Sequence, residues 1–116
     1  MNSSTKYRDA GKAIGIKVKA LSEAMPATMK AFQGLKDAAT APGALDTKTK
    51  ELIALALGVA AHCEACVAFH AQYLVKLGAT REEVSDALDV AVLMGGGPSM
   101  MWSAEALSAF DEFKNA

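Results

Sequence analysis

Residues 52–61 read Leu-Ile-Ala-Leu-Ala-Leu-Gly-Val-Ala-Ala, ten positions without a polar side chain. The run is about half the ~20 residues that a transmembrane helix needs, so it predicts a buried helix rather than a membrane span. A helix that is apolar on every face has to be covered on every face. Because a chain of 116 residues offers few places for this, the run also predicts packing between subunits, with Gly58 allowing another helix to approach closely.

Helix signals surround this run, whereas β-branched residues never cluster with the alternation that is typical of a strand. Asp46 is placed to cap the apolar helix, and Thr80 with Glu83 forms a capping-box pattern for a later helix. The predicted helices cover residues 6–24, residues from 26 to a connector at 40–44, and residues 47–61, 63–77, 81–94 and 99–113. We therefore predict an all-α helical bundle of five to six helices, formed by one domain over residues 1–116 with residues 1–5 frayed.

The stretch Gly95-Gly96-Gly97-Pro98 interrupts the helical pattern near the carboxyl-terminal end. A phosphate-binding loop would follow a strand and would continue with Gly-Lys-Ser or Gly-Lys-Thr, and neither feature is present. We therefore interpret the stretch as a helix break, whose open backbone is a candidate lining of a pocket.

The composition indicates a folded domain, because 52% of the residues are hydrophobic and 22% are charged. The net charge of −1 argues against a general nucleic-acid binder. Residues 1–50 carry nine basic and four acidic side chains, whereas residues 51–116 carry three and nine. This asymmetry fits either two solvated faces of opposite charge or attraction between subunits. Because the polar N-terminal residues lack the apolar segment of a signal peptide, we expect a cytoplasmic protein without membrane contact.

The stretch Cys63-Glu64-Ala65-Cys66-Val67-Ala68-Phe69-His70 carries the chemistry. On a helix, Cys66 lies about 60° and His70 about 20° from Cys63, so the three side chains share one face. Two α-carbons three positions apart lie within the range that a disulfide accepts. Two cysteines at this spacing, without a secretion signal, indicate redox or metal chemistry more than a structural disulfide.

The position of these residues favours thiolate chemistry. If Cys63 opens a helix, the free amide groups and the positive end of the helix stabilise its thiolate form. His70 is placed one turn after Cys66, where it can accept the proton of that thiol or pair with its thiolate. The alternative is two inert buried cysteines beside a core histidine.

Three further side chains are candidates for the same site. Glu51 begins the apolar helix, where a carboxylate needs a partner such as His70 or a bridging water, unless it is only a first-turn acid that favours the helix dipole. His62 is predicted to be a linker residue or a secondary site residue. Tyr73 lies three positions after His70 and is predicted to be either core or near the site.

Methionines close to the glycine-rich break provide a candidate apolar pocket. Met94, Met100, Met101 and Trp102 lie within nine positions of each other. They are interpreted either as the wall of a substrate pocket or as ordinary core packing at helical spacing.

The order Glu51, eleven residues, Cys63-x-x-Cys66, three residues, His70 resembles the signature of the alkyl hydroperoxidase D-like proteins of the carboxymuconolactone decarboxylase superfamily. The flanking residues 48–56, KTKELIALA, and 77–84, LGATREEV, are similar as well. The resemblance implies an all-α bundle that assembles as a homo-oligomer, a trimer or preferably a hexamer. It also implies thiol-dependent reduction of hydroperoxides without a metal or organic cofactor.

By matching position, the resemblance implies that Cys66 is the peroxidatic thiol and Cys63 the resolving thiol. His70 and Glu51 would then form a proton relay through water. The expected partners are a hydroperoxide substrate and a dithiol reductant, either a protein or a small molecule. This chain departs from the better-studied members at Ala65, because those members carry a second histidine immediately before the second cysteine.

Two other functions stay open at this point. In a lactone decarboxylase, His70 and Glu51 would act as acid and base, although that branch of the superfamily lacks the paired cysteines. In a zinc-binding module, Cys63, Cys66 and His70 would ligate the metal with Glu51 or with His62, although ligands from a single helix make a tetrahedral site awkward.

Overall fold

The computed structural model describes residues 4–116, and within that range the chain forms five α-helices and no strand. The helices are α1 (Lys6–Ala24), α2 (Pro26–Thr40), α3 (Thr47–Ala60), α4 (Glu64–Lys76) and α5 (Arg81–Lys114). The predicted all-α class is therefore confirmed. Of the residues predicted to be frayed, 1–3 lie outside the described range, and Ser4 and Thr5 are exposed and precede α1.

Side chains cap two of the helices as the sequence predicts. The amide of Thr49 donates a hydrogen bond to the carboxylate of Asp46 at the start of α3, at 2.8 Å. At the start of α5, the amide of Glu83 donates to the Thr80 hydroxyl at 3.0 Å, and the amide of Thr80 donates to the Glu83 carboxylate at 2.9 Å. These bonds satisfy amide groups that the first turn of a helix leaves open, and so they fix where both helices begin.

The glycine-rich break divides α5 into two helical segments that meet at a kink. Gly96, at the kink, has the non-helical angles φ 68° and ψ −148°. This left-handed backbone favours glycine. A side chain at the preceding residue, Gly95, would overlap the Ser99 hydroxyl. The predicted break is therefore confirmed, and the five helices agree with the predicted five to six, because α5 contains the two segments that the sequence predicts on either side of the glycines.

The core lies where α3, α4 and α5 pack against each other. Its fully buried apolar side chains include Leu55, Val59, Val67, Leu74, Val84 and Phe110. The start of α1 is attached to the end of α5, because the amides of Tyr7 and Arg8 donate hydrogen bonds to the buried carboxylate of Glu112 at 3.0 Å. The core packing fixes the position of α3 against α4, the two helices that carry Glu51, the cysteines and His70.

Apolar surface remains exposed on the helices outside this core. In α2, which the structure describes in full, no residue is buried, and Phe32 is 60% exposed. On α3, Leu57 is 63% exposed, so a single chain does not cover the apolar helix on every face. Covering by other subunits stays a prediction. Across residues 4–116, none of the helices is long and apolar enough to cross a membrane.

Candidate functional site

The connection between α3 and α4 places the cysteine pair. The amide of His62 donates to the carbonyl of Val59, and the amide of Cys63 donates to the carbonyl of Gly58, both at 3.1 Å. This pattern closes the end of α3 with His62 in a left-handed conformation, at φ 55°. The chain then turns so sharply that Cys63 directly precedes α4 and takes the N-cap position.

Cys63 uses its sulfur as the cap of α4. The amide of Cys66 donates a hydrogen bond to Cys63 Sγ at an N···S distance of 3.2 Å. The sulfur of Cys63 therefore lies at the amino-terminal end of α4, next to a backbone amide donor. Both cysteines are free thiols and both are partly exposed, so the predicted juxtaposition of two thiols at a helix start is present.

Cys66 sits in a different environment, against α3. A Cβ at Gly58 would lie 3.2 Å from the Cβ of Cys66, so the helices approach closely only because residue 58 is glycine. Burial, together with the neighbouring Cys63, raises the pKa of the Cys66 thiol to about 11. Cys66 therefore keeps its proton at neutral pH. Burial has a larger effect on this pKa than the stabilisation of the thiolate that we expected from His70.

Glu51 and His70 form a direct pair between α3 and α4. His70 Nδ1 lies 2.6 Å from Glu51 Oε2. The Glu51 side chain is only 2% exposed, whereas that of His70 is 25% exposed. A buried carboxylate needs a hydrogen-bond partner, and His70 provides it without an intervening water. Glu51 is thus more than a first-turn acid, since it connects the two helices beneath the cysteine turn.

The pair also determines which nitrogen of His70 is available. With Glu51 ionised, Nδ1 carries the hydrogen and donates it to the carboxylate. In a neutral imidazole, Nε2 then has the free electron pair and can accept a hydrogen bond. His70 and Cys66 lie one turn apart on α4, so the arrangement is suited to moving a proton at the thiol.

His62 and Tyr73 lie outside this pair. The ring of His62 stacks on Trp102, with centroids 6.0 Å apart and planes within 7° of parallel. The sequence gives no sign of this contact, because it joins the α3–α4 turn to a residue forty positions later. Tyr73 is exposed and faces Lys36 of α2. The predicted core position of Tyr73 is therefore wrong, whereas its position near the site stays a prediction.

A recess lies beside the cysteine turn. Its volume is about 320 Å³, and it is lined by Lys6, Glu64, Met101, Trp102 and Glu105. One of its lining residues, Glu64, directly follows Cys63 in the sequence. Of the predicted apolar pocket, Met101 and Trp102 contribute to it.

The other two methionines of that prediction have different surroundings. Met100 lines a separate recess, and Met94 is exposed. Because Met94 and Met100 are both exposed, the alternative prediction of core packing is wrong for these two side chains.

The predicted zinc ligands do not converge. Among residues 4–116, no three His, Cys, Asp or Glu side chains come together in a group that could hold a metal ion. The direct contact between His70 and Glu51 gives the imidazole a carboxylate partner instead. The zinc alternative therefore gains no support from the geometry.

Known proteins share this arrangement of helices. A crystal structure of a carboxymuconolactone decarboxylase family protein from Legionella pneumophila, in its apo form, aligns with a TM-score of 0.94 at 53% identity, covering 96% of this chain and 99% of that one. A Thermotoga maritima protein aligns with a TM-score of 0.78 at 33% identity, covering 97% and 96%. In another of its crystal structures, at 34% identity and a TM-score of 0.70 over 76% of this chain and 91% of that one, it is described as a carboxymuconolactone decarboxylase family protein with a suggested role in the antioxidative response.

Sequence comparison leads to the same group. An uncharacterized protein of Cupriavidus necator is 47% identical over 92 residues, which are 79% of this chain and 81% of that protein. The family model described as "Carboxymuconolactone decarboxylase family" matches residues 26–109, and this range includes Glu51, both cysteines and His70. The chain belongs to the carboxymuconolactone decarboxylase family.

Proposed function

We propose that the protein is a thiol-dependent oxidoreductase that reduces hydroperoxides with Cys63 and Cys66. One observation carries the proposal. Two free, partly exposed cysteines lie at the start of α4, where the backbone amide of Cys66 donates to the sulfur of Cys63. The Glu51–His70 pair connects α3 to the same helix. Nucleophile, second thiol and proton acceptor are thus supplied by one helix and the helix packed against it.

The reaction is balanced by the two thiols and an external dithiol. Cys66 sulfur attacks the terminal oxygen of the hydroperoxide, the O–O bond breaks, and the products are a sulfenic acid on Cys66 and an alcohol. Cys63 sulfur then attacks the sulfenic sulfur, which releases water and forms the disulfide. An external dithiol reduces this disulfide by two exchange steps and becomes a disulfide itself.

The raised pKa of Cys66 gives the Glu51–His70 pair its task. A thiol with a pKa of about 11 is almost entirely protonated near neutral pH, so its attack requires a base. In this proposal, His70 Nε2 accepts the thiol proton and passes it to the departing alkoxide, while Glu51 holds the ring and stabilises the imidazolium. Cys63, whose sulfur accepts the Cys66 amide, is suited to the resolving step, which needs a thiolate.

The relatives support the redox class without naming a substrate. The suggested antioxidative role of the Thermotoga maritima protein concerns that protein, and the same class of reaction is what we propose here. The recess beside Glu64 and Trp102 is open to solvent and close in sequence to Cys63, so we assign to it the approach of the hydroperoxide or of the reductant.

Single-cysteine variants test this function directly. We expect Cys66→Ser to lose peroxide consumption with dithiothreitol as the reductant, for both hydrogen peroxide and cumene hydroperoxide. After removal of dithiothreitol, Cys63→Ser treated with one equivalent of peroxide should stop after one turnover with one added oxygen atom on Cys66, seen by mass spectrometry of the intact protein and its peptides. Sulfenic acid on Cys63 in the Cys66→Ser protein would reverse the two roles, and full turnover by both variants would refute the proposal.

Lactone decarboxylation is the second candidate, because the Glu51–His70 pair is equally an acid–base pair and the family model bears that name. The two functions differ in their need for sulfur. Alkylation of both thiols with iodoacetamide should abolish peroxide reduction, whereas it should leave a decarboxylase that uses only His70 and Glu51 active. Decarboxylation of a carboxylated lactone by the alkylated protein would favour this second candidate.

A further inference from the structure

A second cavity lies on another side of α4. It has a volume of about 510 Å³ and is lined by residues from α1, α4 and the end of α5: Arg8, Gly11, Lys12, Ala68, Phe69, Gln72, Val75, Lys76, Phe113 and Ala116. We call it the α1–α4 cleft. At ~100° per residue, its α4 positions point roughly 140° away from the face of Cys66 and His70. The cleft is therefore separate from the thiol site, although both lie along one helix.

The cleft has an apolar floor. Ala68 is fully buried at its base, and the side chains of Phe69, Val75 and Phe113 form its walls. On the α1 side stands Gly11, where even an added Cβ would lie 3.9 Å from Phe69 Cε1. The missing side chain leaves room between the two helices. The volume is within the range of small-molecule sites, about 300–1,000 Å³.

Every charged side chain that lines the cleft within residues 4–116 is basic. Lys12 comes from α1 and Lys76 from the last turn of α4, so the two cations stand on opposite helices. Arg8 is the third, but it also borders a recess with Asp111 and Glu112, so the two lysines carry the argument. Gln72 adds a neutral amide that can donate hydrogen bonds.

We propose that the α1–α4 cleft binds an amphipathic carboxylate, with its hydrocarbon body between the apolar side chains of Phe69, Val75 and Phe113 and its anionic head between Lys12 and Lys76. Apolar side chains beside basic ones favour a ligand that is both apolar and anionic. A neutral hydrocarbon would make no ion pair with the lysines, and a hydrophilic anion would leave the apolar side chains exposed to water. The inference is independent of the thiol chemistry, since it uses none of the residues proposed for the redox site.

Octanoate is the probe for this cleft, used below its micelle concentration and compared with octan-1-ol and octylamine. Titration into ¹⁵N-labelled protein should shift the amide signals of Gly11, Phe69 and Gln72 in a saturable way. We expect octanoate to bind at least about fivefold more tightly than octan-1-ol, and octylamine to bind more weakly than both. Equal binding of octanoate and octan-1-ol, or saturable shifts confined to other regions, would overturn the proposal.

Two variants separate the charges of the cleft from its space. Lys12→Gln combined with Lys76→Gln should weaken octanoate binding about fivefold while leaving octan-1-ol unaffected. Gly11→Leu should abolish the binding of both, because its side chain would fill the cleft, while the substitution itself favours an α-helix. Lys30→Gln on α2 is the matched control, since Lys30 is exposed and does not line the cleft. Octanoate binding by Gly11→Leu at wild-type affinity would contradict the assignment.

Discussion

Replacing Gly58 by alanine tests how closely the thiol site depends on helix packing. A Cβ at this position would lie 3.2 Å from Cys66 Cβ, with Cys66 C and Val67 N at 3.8 Å. The first distance is shorter than an ordinary contact between carbon atoms, about 3.5–4.0 Å. Because the nearest atom is a Cβ on an α-helix rather than the end of a flexible side chain, α4 has to move by a few tenths of an ångström.

Two opposing effects determine the magnitude. Alanine in place of glycine inside a helix stabilises by up to about 1 kcal/mol. Overpacking a closely packed contact costs about 1–3 kcal/mol. We therefore expect Gly58→Ala to lower the free energy of unfolding by up to about 2 kcal/mol. It should also slow the reaction of Cys66 with peroxide, because the shift of α4 moves His70 relative to Glu51 on α3.

Gly34→Ala provides the matched control. Gly34 lies inside α2, and an added Cβ there meets no atom within 4 Å. It should therefore show the helix-propensity gain alone, a stabilisation of about 0.5–1 kcal/mol, with unchanged peroxide reactivity. Urea unfolding and single-turnover kinetics with hydrogen peroxide measure both quantities. If Gly58→Ala stabilised as much as Gly34→Ala and left Cys66 as reactive as before, the argument from close packing would be wrong.

Four other predictions concern the site and the exposed surface. Glu51→Gln should reduce peroxide turnover about 10–100-fold, as loss of a carboxylate behind an imidazole does elsewhere, whereas Glu23→Gln, at an exposed position of α1, should not; equal turnover by Glu51→Gln and the wild type would exclude the relay. Because the pKa of Cys66 is raised to about 11 in the folded state, folding favours its protonated form, so thermal stability should fall as pH rises from about 9 through about 11, and Cys66→Ser should flatten that fall. His62→Gly should raise the free energy of unfolding by about 0.5–1 kcal/mol, because φ 55° strains a histidine and not a glycine. A lower free energy of unfolding, measured with urea, would mean that the stacking of His62 on Trp102 outweighs the strain. Leu57→Lys should lower the molar mass measured by light scattering if other copies cover α3, and a wild-type protein that is already monomeric would refute the predicted oligomer.

Much of the fold could be predicted because its signals are local. Asp46 and Thr80 cap helices through hydrogen bonds to residues three positions later. A capping residue followed by a periodic apolar pattern is enough to recognise such a helix start in the sequence. The face shared by the two cysteines and His70 follows from helical periodicity alone. Glu51 could be linked to His70 because a carboxylate at the start of an apolar helix requires a partner.

The remaining features depend on contacts between distant parts of the chain. The stacking of His62 on Trp102 and the burial that raises the pKa of Cys66 both need the packed helices. The pattern also shows which residues share a face without showing what covers that face, so the exposure of Phe32 in α2 could not be foreseen. Gly96 is a third case, since the glycines indicate the break but not the angle at which the two segments of α5 meet.

The carboxylate of Glu112 has a consequence for how the molecule is made. It accepts the amides at the start of α1 across a separation of more than a hundred positions. The rest of α1 packs against α2 and α4, which are nearer in the sequence. Only its first turn therefore waits for the distant carboxylate, and closing a loop of this length costs conformational entropy. We expect this first turn to be completed late in folding and to open early when the protein unfolds.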